Sequence, residues 1–206
     1  DFIAKVGRGR VSLVGHSMGG SVSAYFTGVY PQRISKLALL EGLGPPDNDW
    51  SGWPDRLSAW ISAWKRQSER GSSKRYATIE EAAARLRATD PKLGPELALR
   101  LAEVSTVRTP DGRFQFKHDP LHLTPAPSLF MVDGATTLWR RIACETLLID
   151  GQDSEFRYSP EDATRRRAAL KNARHVELAE AGHMMQRHQP ALLAQILDEF
   201  LADPAL

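Results

Sequence analysis

Short apolar runs bounded by glycine, proline or charged residues recur along the chain. They cover residues 10–15, 37–40 and 145–151, and a fourth lies within the segment ARHVELAEAGH. Apolar runs of four to eight residues with turn residues at both ends are typical of buried strands. The pattern therefore predicts a buried strand at each of these places.

Segments with helical periodicity separate these strands. They comprise residues 20–30, TIEEAAARLRATD (residues 78–90), GPELALRLAEVS, residues 160–170 and the final QPALLAQILDEFLAD. Thr78 followed by Glu81 also forms a capping-box pattern at the start of the second of these helices. Strand, helix and strand near the start of the chain make a βαβ unit, which predicts parallel strands and an α/β fold.

The character of the chain changes between residues 47 and 140. Tryptophans at positions 50, 53, 60 and 64 lie there among polar residues. We predict a mostly helical insertion over residues 47–140 that divides the α/β core into residues 1–46 and 141–206. The insertion is expected to cover the site, and its tryptophans indicate either an apolar pocket or plain packing against the core.

Composition and charge narrow the class of protein. The 206 residues carry a formal net charge of +2 and 25% of them are charged, a balance typical of soluble globular domains. The basic residues form no concentrated patch, so no nucleic-acid partner is predicted. Cys144 is the single cysteine, so no internal disulfide is expected. No apolar run approaches the roughly 18 residues of a membrane span and no leader is visible, so the predicted location is cytoplasmic.

A serine between glycines marks the junction of the first predicted strand and helix. Gly15-His16-Ser17-Met18-Gly19 fits the pattern G-x-S-x-G, which lifts a serine hydroxyl onto a strained strand-to-helix turn. The N–H groups of Met18 and Gly19 would then stand at a helix N-terminus, where they could bind an oxyanion. The alternative is a glycine-rich turn with an incidental serine.

A serine hydroxyl needs a base to become a nucleophile. Among the six histidines, His183 lies in the loop AEAGHMMQ, after the fourth predicted strand and before the last helix. That loop is at the carboxyl edge of the sheet, where Ser17 also emerges. His16 is expected to point away from the site, and His175 and His188 lack a suitable loop. His183 is therefore the predicted base, with a structural histidine as the alternative.

These segments together resemble a known fold family. The run from VSLVGHSMGG through TLLIDGQDSEF to AGHMMQRHQPALLAQILDEFL is similar to α/β-hydrolase-fold serine hydrolases, especially to capped bacterial members and to serine-hydrolase-like proteins. The resemblance implies a parallel sheet of that type, a cap formed by the insertion, and a catalytic triad in the order serine, acid, histidine. It implies neither a metal nor an organic cofactor.

The acid of this triad has two candidates. The family usually carries an acid at the end of G-x-x-D after the strand that follows the cap, whereas this chain has Gly151-Gln152-Asp153-Ser154. Some relatives carry the acid instead after the strand that follows the first helix, where this chain has Glu41. Glu41 is the first candidate and Asp153 the second, and it stays open that neither residue serves.

The start of the chain departs from the family pattern. Family members carry several strands before the serine turn and a loop that supplies the second oxyanion donor, whereas only nine residues precede Arg10. We expect the N-terminal strands to be missing, so that the chain is a fragment or a second chain completes the sheet. The predicted function is hydrolysis of hydrophobic carboxylic esters or similar acyl substrates by Ser17, His183 and the acid. The alternatives are a ligand-binding protein of the same fold and a truncated, inactive fragment.

Overall fold

The structure, a computed structural model, describes residues 9–70 and 74–202, together with Ile3 and Lys5. Over residues 9–70 and 74–202 the strands are β1 (Val11–His16), β2 (Ile34–Leu40), β3 (Arg75–Tyr76), β4 (Thr106–Arg108), β5 (Phe114–Phe116), β6 (Glu145–Gly151) and β7 (Ala173–Leu178). The helices are α1 (Met18–Val29), α2 (Trp53–Arg70), α3 (Ile79–Thr89), α4 (Pro95–Ser105), α5 (Val132–Trp139), α6 (Pro160–Ala168), α7 (Met185–His188) and α8 (Pro190–Ala202). Short 3-10 turns lie at Pro31–Arg33, Trp50–Gly52 and Pro120–Leu123.

Two compact units share the chain. The first comprises residues 1–48 and 130–206, and the second comprises residues 49–129. The second unit ends before the boundary at 140 that the sequence pattern indicates. The reason is that α5 belongs to the first unit, where Val132 and Trp139 are fully buried in the core.

A four-stranded sheet forms the centre of the first unit. Its strands lie in the order β1–β2–β6–β7, and every neighbouring pair is parallel. Alternating side chains of β2 pack on opposite faces, because Leu37 and Leu39 join a cluster with α1 and α5. Ala38 and Leu40 join a second cluster with α8. The predicted α/β fold with a parallel sheet is confirmed, and burial on both faces explains why its strands are continuous apolar runs.

Strand β1 stands at one end of this sheet. In the part of the chain that the structure describes, β1 pairs with β2 alone. Val14, in the middle of β1, keeps 46% of its surface exposed. Across residues 9–70 and 74–202, therefore, β1 is an edge strand with no further strand beside it.

The second unit combines helices with a small antiparallel sheet in the order β3–β5–β4. Helix α3 begins with the capping pattern that the sequence predicts. The hydroxyl of Thr78 accepts the N–H of Glu81 at 3.2 Å, and the Glu81 carboxylate accepts the N–H of Ala77 at 2.8 Å. Tyr76 and Leu93 are buried in the core of this unit. The insertion is thus helical with a three-stranded sheet added.

The chain leaves the first unit and returns to it at one place. The N–H of Asn48 donates to the carbonyl of Phe130 at 3.1 Å. The carboxylate of Asp47 accepts the N–H of Val132 at 2.8 Å and a guanidinium N–H of Arg165 at 2.7 Å. The two ends of the insertion are therefore held together by groups of the first unit.

Candidate active site

Four chain segments meet at the carboxyl edge of the parallel sheet. Ser17 follows β1, Glu41 follows β2, Ser154 lies just beyond β6, and His183 lies in the loop after β7. The carboxyl ends of parallel strands share one edge of a sheet, so residues far apart in sequence become neighbours there.

The serine of the glycine motif stands where β1 ends and α1 begins. Ser17 has φ 53° and ψ −122°, and a positive φ is uncommon for a residue other than glycine. Its N–H donates to the carbonyl of Leu40 at 2.9 Å, which ties the turn to β2. The Ser17 side chain makes no capping hydrogen bond to the helix. Its hydroxyl is therefore not engaged by α1.

Close backbone packing explains two of the glycines around this turn. A Cβ on Gly15 would lie 2.6 Å from the carbonyl oxygen of Gly19. A Cβ on Gly20 would lie 2.5 Å from the Cα of Gly42. A Cβ on Gly19 would meet nothing within 4 Å. Close approach of backbones therefore requires glycine at positions 15 and 20, and not at Gly19 of the G-x-S-x-G motif.

Three side chains form a continuous line of hydrogen bonds at this edge. The hydroxyl oxygen of Ser17 lies 3.0 Å from Nε2 of His183. Nδ1 of the same ring lies 2.5 Å from Oε2 of Glu41. A carboxylate only accepts, so Nδ1 carries the proton and Nε2 keeps a lone pair that can accept the serine O–H. The structure thus brings Ser17, His183 and Glu41 together.

Glu41 is held as a carboxylate by several donors. Oε1 accepts the N–H of Gly151 at 2.9 Å, and Oε2 accepts the hydroxyl of Ser154 at 2.8 Å. Burial acts to raise the pKa of Glu41, but hydrogen bonds from His183, Gly151 and Ser154 outweigh it and lower that pKa. Its side chain is only 7% exposed, and its φ is 45°. The group is therefore ionised at neutral pH and fixed in direction.

The other carboxylates near this edge are not bonded to His183. The N–H of Asp153 donates to the carbonyl of Ala181 at 2.9 Å, and Asp153 is not a partner of either ring nitrogen of His183. Asp150 accepts Arg167 at 2.9 Å and His175 at 2.8 Å. Of the two acids that the sequence analysis considered, only Glu41 reaches the histidine ring.

The start of α1 presents unused backbone N–H groups beside Ser17. The hydrogen bond from the N–H of Ser21 to the carbonyl of Ser17, at 3.1 Å, is the bond that begins the helix. The first N–H groups of a helix have no partner inside it, so those of Met18 and Gly19 are available to an anion. The Met18 side chain is 71% exposed and leaves this position open.

Two further histidines contact the loop that carries His183. Nε2 of His16 lies 2.8 Å from the carbonyl oxygen of His183, and the two rings are 4.7 Å apart between centroids. The N–H of Gly182 donates to Nδ1 of His188 at 3.0 Å. The sequence predicts a role for neither histidine, because the side chain of His16 is expected to point away from the site and His188 lacks a suitable loop. For His16, the available signal in the sequence was its position directly before Ser17 in the motif.

A cavity of about 870 Å³ adjoins Ser17, Glu41 and His183. The apolar part of its wall includes Met18, Val22, Tyr25, Pro45, Pro46, Phe130 and Phe156. Small-molecule sites commonly measure roughly 300–1,000 Å³, so this cavity is large enough for an organic ligand. Every lining residue belongs to the first unit, and that the insertion covers the site stays a prediction.

Four charged side chains of the cavity wall form two ion pairs. Arg157 contacts Glu177 at 2.6 Å, and Arg167 contacts Asp150 at 2.9 Å.

Residues 9–70 and 74–202 contain no group of three or more His, Cys, Asp or Glu side chains arranged to hold a metal ion. Within those residues, no helix is both long enough and apolar enough to cross a bilayer.

The sequence was compared with models of known protein families. A sequence model described as the alpha/beta hydrolase family matches residues 1–196. The chain belongs to the alpha/beta hydrolase family. The resemblance inferred from the serine motif and the histidine loop is thereby confirmed.

Alpha/beta hydrolase relatives include proteins of several descriptions. A serine hydrolase-like protein of Danio rerio is 26% identical over 93% of this chain. The crystal structure of a hypothetical protein from Pseudomonas aeruginosa PAO1 is 25% identical, with a TM-score of 0.79, over 98% of this chain and 71% of that one. A thioesterase domain from the curacin biosynthetic pathway is 23% identical, with a TM-score of 0.79, over 95% of this chain and 69% of that one; this likeness shows the alpha/beta hydrolase fold alone.

This alpha/beta hydrolase chain is shorter than such relatives. It spans 60% of the length of the Danio rerio protein. Parts of that relative therefore have no counterpart in the sequence described here.

Proposed function

We propose that this chain carries the catalytic groups of a serine hydrolase that acts on carboxylic esters or similar acyl substrates. The observation that carries the proposal is the line of hydrogen bonds from Ser17 through His183 to Glu41. A nucleophile bonded to a base, which is bonded in turn to a fixed carboxylate, is the arrangement that activates serine in unrelated hydrolases. Family membership agrees with this chemistry.

The reaction begins with proton transfer from Ser17 to His183. As the Ser17 oxygen bonds to the substrate carbonyl carbon, Nε2 of His183 takes the hydroxyl proton, and the carbonyl π electrons move onto oxygen. His183 then protonates the leaving alcohol while its bond to the acyl carbon breaks, which leaves an acyl group on Ser17. Water, deprotonated by the same nitrogen, then bonds to the acyl carbon. His183 returns this proton to the Ser17 oxygen as the bond between Ser17 and the acyl carbon breaks and the acid is released. Glu41 stays ionised and stabilises the imidazolium in both halves.

The developing oxyanion is met by the N-terminus of α1. On this proposal the N–H groups of Met18 and Gly19 bind the carbonyl oxygen as it becomes charged, and the helix dipole adds to the attraction. Removing one such donor from a serine hydrolase costs about 3 kcal/mol of transition-state stabilisation. Those two amide groups therefore supply an essential part of the rate enhancement.

The cavity supports an apolar acyl or alcohol group as substrate. Its apolar wall adjoins Ser17, whereas its arginines are already paired with carboxylates. One solved structure with the same fold is described as a thioesterase domain, which is consistent with acyl chemistry at this edge. We therefore favour uncharged esters over charged ones.

A fluorophosphonate reagent tests the proposal, because it reacts with activated serine hydroxyls. We expect covalent labelling of the wild-type chain at Ser17, located by peptide mass spectrometry, and none in Ser17→Ala. Ser12→Ala, which removes an exposed serine of β1, serves as the matched control and should label like wild type. A folded wild-type chain that stays unlabelled and does not hydrolyse p-nitrophenyl esters would instead indicate a binding protein of the same fold.

A further inference from the structure

The carbonyl of His183 is bound by the ring of His16. A carbonyl oxygen only accepts, so the contact of 2.8 Å requires a hydrogen on Nε2 of His16. Burial is the main cause that lowers the pKa of His16, so this ring is neutral, with its hydrogen committed to the carbonyl. His16 lies next to Ser17 in sequence. The contact thus connects the serine turn directly to the backbone of the histidine loop.

The other side of the same loop is bound by His188. A backbone N–H only donates, so Nδ1 of His188 must hold a lone pair to accept Gly182 at 3.0 Å. The ring also lies close to this residue, since a Cβ on Gly182 would be in van der Waals contact with its Cε1 at 3.4 Å. His188 ends the short helix α7 and is not part of the line of hydrogen bonds from Ser17 to Glu41.

We infer that His16 and His188 are positioning residues that clamp the carbonyl of His183 and the N–H of Gly182, and so fix the distance from the His183 ring to Ser17. The inference rests on the proposed function. The clamp consists of one donor, Nε2–H of His16, and one acceptor, Nδ1 of His188. A general base has to lie within about 2.6–3.2 Å of the proton that it takes, and a displacement of about 1 Å can cost a hundredfold in rate.

Two isosteric substitutions separate positioning from mere packing. The amide nitrogen of glutamine reaches where Nε2 of histidine stands, so His16→Gln keeps the donor, whereas His16→Leu removes it. The amide oxygen of asparagine stands where Nδ1 stands, so His188→Asn keeps the acceptor, whereas His188→Leu removes it. His118→Leu, which changes an exposed histidine of the second unit, is the matched control.

The first readout is hydrolysis of p-nitrophenyl acetate. We expect kcat to fall about tenfold to a hundredfold in both leucine variants, with KM changed less than about threefold, because a misplaced base slows chemistry more than binding. His16→Gln and His188→Asn should recover most of the loss, and His118→Leu should match wild type. Unaltered kcat in the leucine variants would overturn the clamp. So would losses that Gln and Asn fail to restore and that follow the free energy of unfolding.

The second readout needs no turnover. The proton between Nδ1 of His183 and Glu41 should give a downfield ¹H NMR signal, because the bond is short. We expect that signal to disappear in both leucine variants and to persist in His16→Gln and His188→Asn. A signal that persists in all variants refutes the clamp. A wild-type chain that shows the signal and its dependence on both histidines, but is inert to fluorophosphonate and esters, refutes the hydrolase proposal and leaves the clamp standing.

Discussion

Glu41 can reach His183 because an acid that follows either of two neighbouring strands, β2 or β6, lies close to the same histidine ring. Strands β2 and β6 are parallel neighbours, and adjacent strands lie about 4.8 Å apart. An acid beyond either strand could therefore meet the same imidazole. In this chain position 154, beyond β6, is a serine whose hydroxyl donates to Glu41. On the proposed mechanism, the residue at the position where the family usually carries its acid thus supports the carboxylate of Glu41.

Matched amide substitutions distinguish the two acids. Glu41→Gln should lower kcat/KM for p-nitrophenyl acetate by about 10⁴-fold, because an amide can no longer stabilise the imidazolium or select its tautomer. Asp153→Asn makes the equivalent change in a carboxylate that is not bonded to His183, and should leave kcat/KM within about threefold of wild type. Equal losses in both variants, or a loss in Asp153→Asn alone, would contradict the assignment of Glu41.

Acid should destabilise the chain through the same carboxylate. The pKa of Glu41 is lower in the folded chain than its ordinary value of 4.5, so the unfolded chain binds more protons as the solution becomes acidic. Its stabilising effect is complete above pH 4.5 and is lost as the pH falls through the lowered pKa of the folded state. Urea unfolding at a series of pH values should show a shallower decline for Glu41→Gln. The exposed Glu155→Gln is the control, and an equal effect there would contradict this origin.

Sequence patterns predict the strands and helices of the core well, because both faces of the sheet are buried. The run at 145–151 coincides with β6, and the run at 37–40 forms the second half of β2, which begins at Ile34. Contacts between backbones leave no such pattern. The contact between Gly20 and Gly42 depends on how α1 lies over the end of β2. The sequence does not distinguish Gly20 from the adjacent Gly19, which has no such contact. The contacts of His16 and His188 with the loop of His183 could not be predicted either, because they too leave no pattern in the sequence.

Two adjacent glycines should therefore respond differently to one added methyl group. Gly20→Ala places a Cβ 2.5 Å from the Cα of Gly42, and such overpacking should lower the free energy of unfolding by about 1–3 kcal/mol. Gly19→Ala meets nothing within 4 Å and should be neutral or stabilising by up to about 1 kcal/mol, because alanine favours helix. Urea denaturation measures both. Equal destabilisation by the two substitutions would contradict the close approach of Gly20 and Gly42.

A change in the character of the chain near residue 47 predicts an insertion that begins there, and the second compact unit begins at residue 49. The end of this unit could not be predicted in the same way, because α5 at Val132–Trp139 has an ordinary amphipathic pattern that fits either unit. What decides its place is the burial of Trp139 in the core of the first unit. The hydrogen bond between Asn48 and Phe130 likewise shows only in three dimensions where the insertion begins and ends.

That junction predicts the outcome of removing the insertion. Replacement of residues 49–129 by a four-residue glycine–serine linker should leave the first unit folded, since its core clusters and the cavity lining come from its own residues. We expect cooperative urea unfolding and fluorophosphonate labelling at Ser17 to persist. The same deletion with Ser17→Ala controls for non-specific labelling. A deletion protein without cooperative unfolding would contradict the independence of the first unit.

Ser17 and Glu41 both hold a positive φ, a conformation that costs a non-glycine residue about 1–3 kcal/mol. The hydrogen bonds of the Glu41 carboxylate offset this cost, whereas selection for thermal tolerance alone would favour glycine in place of Ser17. On the proposed mechanism, that replacement gives a hardier but inert chain. Any screen that rewards heat resistance without demanding turnover should drift toward such variants, so improvement of this protein has to select for both traits together.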